Sequence, residues 1–482
     1  MSVGLDAGFS FFEESLEREE VTSEIDEESI WRKLNLNGYL KNETAYRFAH
    51  DRAFTKIRNT ISLNSEYPVS ENSHVYLSVW GYYDLVYDLL EYDTISPGRD
   101  QDIKVTIENA NRPRREKDNA GFDIREFYFD WYLDHVDVRI GKQFVVWGVF
   151  EGVRITDEIN PQDFRELILP ELLDFRVPLW KVKIDYSNDD HNLQLLWIPD
   201  IQFHKFAPPG SEWELTQDPC LPDAEGNRFC DARGMIEPES FRLENSEIGL
   251  RYTTQVWDAE ISFSYFYTWD DFPVLFRHVD LTRQSNPVFF PTYSRIHMYG
   301  STFEKQIGPV ILKSEMAYVT GKYFAINNVD QDFDLFLDHH GELKKDHLRW
   351  GVGADFIVGG WDLAFTFVEW KIFDYEEGIV IDEHDHTLNL FVRRSFPEKS
   401  VTFQMLYIYM VNFKESYIQP KLIFQLTDQF TVTAGADLFF ADRIPFENDV
   451  NQVNLFATEQ RSQFFGEFER HDRAFIEFKY GF

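Results

Sequence analysis

A period of two runs through almost the whole chain, and it limits the fold more than any other feature. "AEISFSYFYTW" puts Ala259, Ile261, Phe263, Tyr265 and Tyr267 on one face, with Glu260, Ser262 and Ser264 opposite. "FTVTAGADLFF" sets Phe430, Val432, Ala434, Ala436, Leu438 and Phe440 against Thr431, Thr433 and Asp437. "DRAFIEFKYGF" aligns Ala474, Ile476, Phe478, Tyr480 and Phe482. Such alternation marks strands with one apolar and one polar face. Repeated between residues 34 and 482, it predicts about 18 strands of about 11 residues, spaced as a membrane barrel requires.

The breaks between strands carry a second pattern. Tight turns ("PVSENS", "LDH", "SNDD", "VWD", "IGP", "GGW", "PEK", "TDQ") alternate with long connections at roughly 90–121, 149–177, 200–245, 270–293, 323–346, 373–385 and 442–471. Two connections, near Asp51 and near Lys414, are short where long ones are expected. "FFGEFERHDR" is not counted as a strand, because an odd number would break the alternation of loop lengths. In a bilayer every strand N–H and C=O must be paired, so the sheet must close on itself. The fold expected is therefore all-β: a transmembrane antiparallel barrel with long extracellular loops and short periplasmic turns. A soluble sandwich or propeller would also alternate, but would not need so many long strands.

Composition excludes several classes. The chain carries 47 Lys and Arg against 83 Asp and Glu, a net charge of −36, which repels nucleic acid. No run of 18 apolar residues exists to form a transmembrane helix. No nucleophile elbow, P-loop or HExxH motif is found, so an enzyme is not expected. The first residues lack a basic n-region and a cleavage site, which suits a mature form without its signal peptide. Cys220 and Cys230, in the turn context "PCLPDAEGNRFC", are expected to form a disulfide in an oxidising compartment. A bacterial outer membrane satisfies all of these. The acidic segment 1–33, with nine acids and one Arg between Glu13 and Glu28, is expected on the periplasmic side, solvated or contacting a partner. The barrel occupies 34–482.

Three stretches, "GYLKNETAYRF", "YLSVWGYYDLVYD" and "IGKQFVVWGVFEGVRITDEINPQDFRELILPE", resemble a family of proteobacterial outer-membrane proteins catalogued as a domain of unknown function. The resemblance covers most of the chain, and residues 140–171 carry most of its specificity. It implies a porin-like barrel associated with RND-type transporters and periplasmic carriers of hydrophobic compounds. In that family an acidic residue commonly follows the Trp-Gly pair; here Val149 follows Trp147-Gly148. The aromatic C-terminus, Phe478, Tyr480 and Phe482, resembles the signal read by the outer-membrane assembly machinery.

Residues 149–177 are the leading functional candidate. Phe164, Ile168 and Leu172 have helical spacing, Pro161 suits a first helical turn, and Pro170 would bend or end it. The segment is expected to fold into the lumen as a constriction. Arg139, Gln143, Trp147, Arg154, Asp157, Arg165, Glu166, Asp174 and Arg176 would line the path or pin the segment. An ordinary packed surface helix is the alternative. Trp80, Phe127, Phe129, Trp131 and Phe266 are expected to face inward, giving a greasy lumen suited to a hydrophobic cargo.

No cofactor is expected. Asp330, Asp332 and Asp334 have the spacing of a calcium-loop start but lack the later Gly and Glu. His384 and His386 are weak transition-metal candidates, and Ca2+ or Mg2+ bridging acidic loops to lipopolysaccharide is the broader expectation. Function reads as a channel passing a small or hydrophobic substrate. The alternative is a barrel that sheaths or anchors a periplasmic transport component or an electron-transfer cytochrome; the chain has no CxxCH for a haem of its own.

Overall fold

The computed structural model describes residues 34–90, 120–207, 212–213, 231–232, 235–278, 288–326, 338–441 and 464–482. The acidic segment 1–33, Cys220, Cys230, Asp330, Asp332 and Asp334 lie outside these residues.

Eighteen strands form one sheet. They are β1 (Asn37–Arg47), β2 (Ala53–Ser70), β3 (Ser73–Asp84), β4 (Ala120–Tyr132), β5 (Val136–Gln143) and β6 (Leu179–Asn188). They continue with β7 (His191–Ile198), β8 (Glu247–Val256), β9 (Ala259–Trp269), β10 (Arg295–Ile307), β11 (Val310–Ala325) and β12 (Glu342–Val358). The last are β13 (Trp361–Ile372), β14 (His384–Phe396), β15 (Val401–Met410), β16 (Glu415–Gln425), β17 (Phe430–Ala441) and β18 (Arg473–Gly481). Each pairs antiparallel with its neighbours in sequence. β18 returns to β1 in continuous register, from Tyr39 opposite Gly481 to Arg47 opposite Arg473. Gly38 and Phe482 exchange backbone hydrogen bonds of 2.9 and 3.0 Å just beyond that register. No edge remains, as a bilayer demands.

The turn chemistry fits the side on which each turn lies. Gly359 and Gly360 both adopt positive φ, which gives the two-residue hairpin between β12 and β13 its strand-compatible twist. All short turns fall at one end. The opposite end carries the long connections and the two exceptions, 48–52 and 411–414, that the sequence flagged. The stretch containing "FFGEFER" is a 3-10 helix, Phe465–His471, and not a strand.

Alternate residues divide the wall into two faces. On β18, Ile476, Phe478 and Tyr480 face out and are 37–42 % exposed, whereas Arg473, Phe475, Glu477 and Lys479 line the interior. The outward face carries the large apolar exposures, among them Leu250, Phe263, Tyr299, Met316 and Phe365. An apolar band around a closed sheet makes this a membrane-spanning barrel of the outer-membrane type.

One strand corrects the sequence reading. Phe127 and Phe129 lie opposite Leu77 and Val75, and Trp131 opposite Val138, so all three face lipid. Phe127 is 43 % and Trp131 49 % exposed. The cause is a bulge: register shifts between Ser78 and Val79 and leaves Arg125 as the extra residue. One extra residue reverses the parity of everything beyond it. Trp80 and Phe266 do face inward, the first lining the cavity and the second fully buried.

A lumen crossed by its own chain

After β5 the backbone leaves the sheet at Phe144 and rejoins it at Leu179. Between those points it crosses the barrel interior. Trp147, Ile155 and Ile159 are buried at 1 % exposure or less among wall residues Leu196, Ile198, Phe266, Met298, Ala317 and Val319. The wall makes room for it. A Cβ on Gly249 would sit 2.8 Å from the Trp147 ring, and one on Gly353 2.8 Å from the Phe150 ring. Only glycine lets these rings lie directly on strand backbone.

Polar contacts fix the segment to the far wall. Glu315 on β11 accepts hydrogen bonds from the backbone N–H groups of Val149 (2.5 Å), Phe150 (2.8 Å) and Thr156 (3.0 Å), and from the Thr156 hydroxyl (2.9 Å). Asn389 on β14 donates to the Glu151 carbonyl (2.9 Å), and Arg349 on β12 to the Glu158 carboxylate (2.6 Å). Burial pushes the Glu158 carboxyl up, but the charges of Arg349 and Arg154 outweigh it and hold it below the usual range. At the near wall, buried Lys181 donates to Asn160 (2.9 Å), whose amide donates to the Val145 carbonyl (2.6 Å).

The nine residues singled out from the sequence separate into groups. Arg139 faces inward near the short-turn end, paired with Asp130 at 2.6 Å and lying over the Tyr128 ring. Gln143 is fully buried and donates to the Lys181 carbonyl (3.2 Å). Trp147 donates through Nε1 to Gln194 (2.7 Å). Asp157, also buried, accepts from the Trp147 N–H (3.3 Å) and from Arg176 (2.7 Å). Those four, with Arg139, hold structure together. Arg154, Arg165, Glu166 and Asp174 line the cavity. Arg154 turns back on the carbonyls of Asp157 and Asn160, and Arg165 pairs with Asp163 (2.6 Å). Glu166 meets Lys56 (2.8 Å) and Arg58, and Asp174 meets Lys41 (3.4 Å). Burial raises the Glu166 carboxyl, yet Arg58 and Lys56 hold it well below the usual carboxylate range.

The expected helix over this segment is not formed. Phe164 belongs to a two-residue strand that pairs with Lys205–Phe206, and only Leu172–Phe175 makes a helical turn. Leu167 takes a positive φ of 54°, and Pro170 removes a donor, so no longer helix can persist. The sequence missed the anchors outright. Glu315, Asn389 and Arg349 lie far along the chain from what they hold, and nothing local marks them.

A second buried cluster closes the long-loop end. Phe465 and Phe468 of the 3-10 helix pack with Trp213, Leu169, Tyr417 and Phe439. Glu415 on β16 accepts from the N–H groups of Phe464 and Gly466, both 3.1 Å. Glu212, facing Arg47 at 3.1 Å, has its carboxyl pushed up to about 7 by burial, against the Arg47 charge. His204 stands edge-on to Phe164 and Phe272 and accepts the Gln162 N–H through Nδ1 (2.9 Å). Burial, then the charges of Arg154 and Lys322, lower its pKa and keep the ring neutral.

What remains between these segments and the wall is a cavity of about 1170 Å³. It runs beside β18 from Arg473 to Lys479, about 20 Å of strand at 3.3 Å per residue. Its wall carries Lys41, Glu43, Lys56, Arg58, Lys421, Asp437 and Glu477, and apolar side chains that include a strip of Leu406, Ile408 and Met410 and the rings of Phe391, Phe413 and Phe475. Among the described residues no three His, Cys, Asp or Glu side chains converge to hold a metal. His384 and His386 sit on the outward face of β14, with His384 Nδ1 bonded to Glu369 at 2.6 Å.

Comparison with known proteins follows the fold. The family described as "Protein of unknown function (DUF1302)" matches residues 35–417. No curated protein matches. Among solved structures, the crystal structure of Acinetobacter baumannii OccAB2 aligns at TM-score 0.51 with 10 % identity, over 93 % of this chain and 97 % of that one. Pseudomonas aeruginosa OccK8 (OprE) aligns at 0.48 with 10 % identity, over 93 % and 97 %. At such identity the likeness is one of fold.

Proposed function

Given that this chain belongs to the DUF1302 family, we propose that it is a porin-like outer-membrane channel whose lumen is narrowed by its own segment 149–177. One observation carries the reading. The segment is tied to the far wall through Glu315, and a cavity of about 1170 Å³ runs beside it along the barrel. An unobstructed barrel of this strand number would enclose a wide aqueous channel. The remaining space is of small-molecule size, which argues against a barrel that sheaths a protein partner.

The lining suggests the solute. Charges of both signs on β1, β2, β16 and β18 share the cavity with an apolar strip on β15, which suits a molecule with a charged and an apolar part. A uniformly hydrophobic cargo fits less well, because it would desolvate lining charges such as Lys41, Glu43, Lys56, Arg58, Lys421 and Glu477. The test is single-channel recording on a variant deleted for 155–175. Conductance should rise several-fold. Unchanged conductance would remove the segment from the path.

A further inference from the structure

The lipid-facing band is apolar almost everywhere, and its one amide pair lies beside the seam where β1 meets β18. Asn42 on β1 stands opposite Asn59 on β2 and donates to it (Nδ2 to Oδ1, 2.9 Å). The Thr44 hydroxyl donates to Asn42 at 3.2 Å. Both amides face out. Their flanking neighbours, Leu40, Ile61 and Phe478, are 49, 44 and 39 % exposed, whereas the alternate residues Lys41, Arg58 and Thr60 line the lumen. Their depth is central. Tyr46, packed on Phe54 at 5.1 Å, lies four residues along β1 toward the long-loop end, and Leu40, opposite Tyr480, two residues the other way. Hydrocarbon supplies no hydrogen bonds, and among the described residues the donors of the Asn59 amide have no partner. Among the described residues no other strand pair places two amides on this band.

The surface next to the amides differs from the rest of the barrel in a second way. Across β18, Ala474 stands opposite Ala436, and Ala434 opposite Ile476. On the far side of the barrel the same band carries Phe263, Tyr265, Tyr299, Met316 and Trp350. Association within a bilayer is driven by close packing and polar contacts, since lipid is as apolar as the side chains themselves. Small residues beside an unsatisfied polar group provide both.

We propose that this face, β17–β18–β1–β2, is the interface with a second copy of the same chain. Asparagine both donates and accepts, so the patch is complementary to itself. Barrels inserted in one orientation are related by a two-fold axis along the membrane normal. That axis keeps every residue at its own depth, so the amides of one copy lie level with those of the other, and the alanines likewise. The proposal is independent of what the lumen conducts.

The test is mass determination of the full chain in lipid nanodiscs and mild detergent, with three variants. Wild type should contain a dimer. N42L/N59L replaces the amides with lipid-compatible side chains and should weaken dimerisation roughly tenfold or more. A436W, which blocks close approach without touching the amides, should do the same. Y299L, on the opposite face, should leave the dimer intact. Heat-modified gel mobility checks that each barrel is folded. A wild type that stays monomeric at all concentrations overturns the proposal, as does a dimer that survives both N42L/N59L and A436W.

Discussion

Two sides of the same lumen behave in opposite ways. Along β7 to β13 the inward face carries an apolar and glycine surface broken by anchors such as Glu315 and Arg349, and the chain's own segment is packed onto it. Along β16 to β18, β1 and β2 it carries Lys41, Glu43, Lys56, Arg58, Lys421, Asp437, Arg473 and Glu477 among neutral residues, and a cavity stays open. The strands are alike in their antiparallel pairing. The difference teaches that a barrel wall chooses between a core and a pore through one residue in two. Burial of apolar area at roughly 25 cal/mol per Å² offsets the entropy of ordering a long loop on the first side. Desolvating charged side chains would oppose it on the second.

The strongest way to break this contrast is to unseat the segment. Glu315→Leu removes the acceptor for three buried N–H groups, each worth about 1–3 kcal/mol when orphaned. Conductance should rise toward that of the 155–175 deletion; a wild-type trace would show that apolar packing alone holds the segment. Trp147→Ala probes the apolar half of the grip and should cost about 3–5 kcal/mol by cavity formation. Denaturant unfolding in detergent should report a lower midpoint. Gly353→Leu reaches the same state by steric exclusion of Phe150, with noisier openings in the same recording.

On the open side the expected effects are on selectivity. Lys421→Gln removes one lining cation and should shift the reversal potential under a salt gradient toward cation preference, with conductance nearly unchanged. An unchanged reversal potential would remove Lys421 from the conducting path. The smallest effect concerns pH. Glu212 has a folded-state value near 7, above its ordinary 4.5, so the state in which it is seated against Arg47 at the long-loop end holds more protons than one in which it is released. Its contribution to seating is therefore fully present below about 4.5 and lost as pH rises through about 7. Glu166 has the opposite sign: its contribution is present above its ordinary value and is lost only well below it. Conductance should fall modestly from pH 8 to 5, and Glu212→Gln should flatten the profile.

Much of this was legible in the residues. The 18 strands, their order and the alternation of short and long connections follow from a period of two that each strand carries locally. The rejection of "FFGEFERHDR" as a strand held for the same reason. One long connection rich in charge is what drew attention to Arg154, Arg165, Glu166 and Asp174, which line the cavity. What failed had non-local causes. A single bulge at Arg125 reversed the faces of Phe127, Phe129 and Trp131, and a bulge is a property of a strand pair. Helical spacing in 164–172 gave way because Phe164 found a partner strand at Phe206.

The sequence by itself determined a closed sheet with lipid outside, because alternation is written in neighbouring residues and the bilayer admits no open edge. The tertiary structure alone decided which half of the interior is filled. That choice depends on Glu315, Asn389 and the wall glycines meeting a segment more than a hundred residues away, and such complementarity exists only once the strands are brought around into a ring.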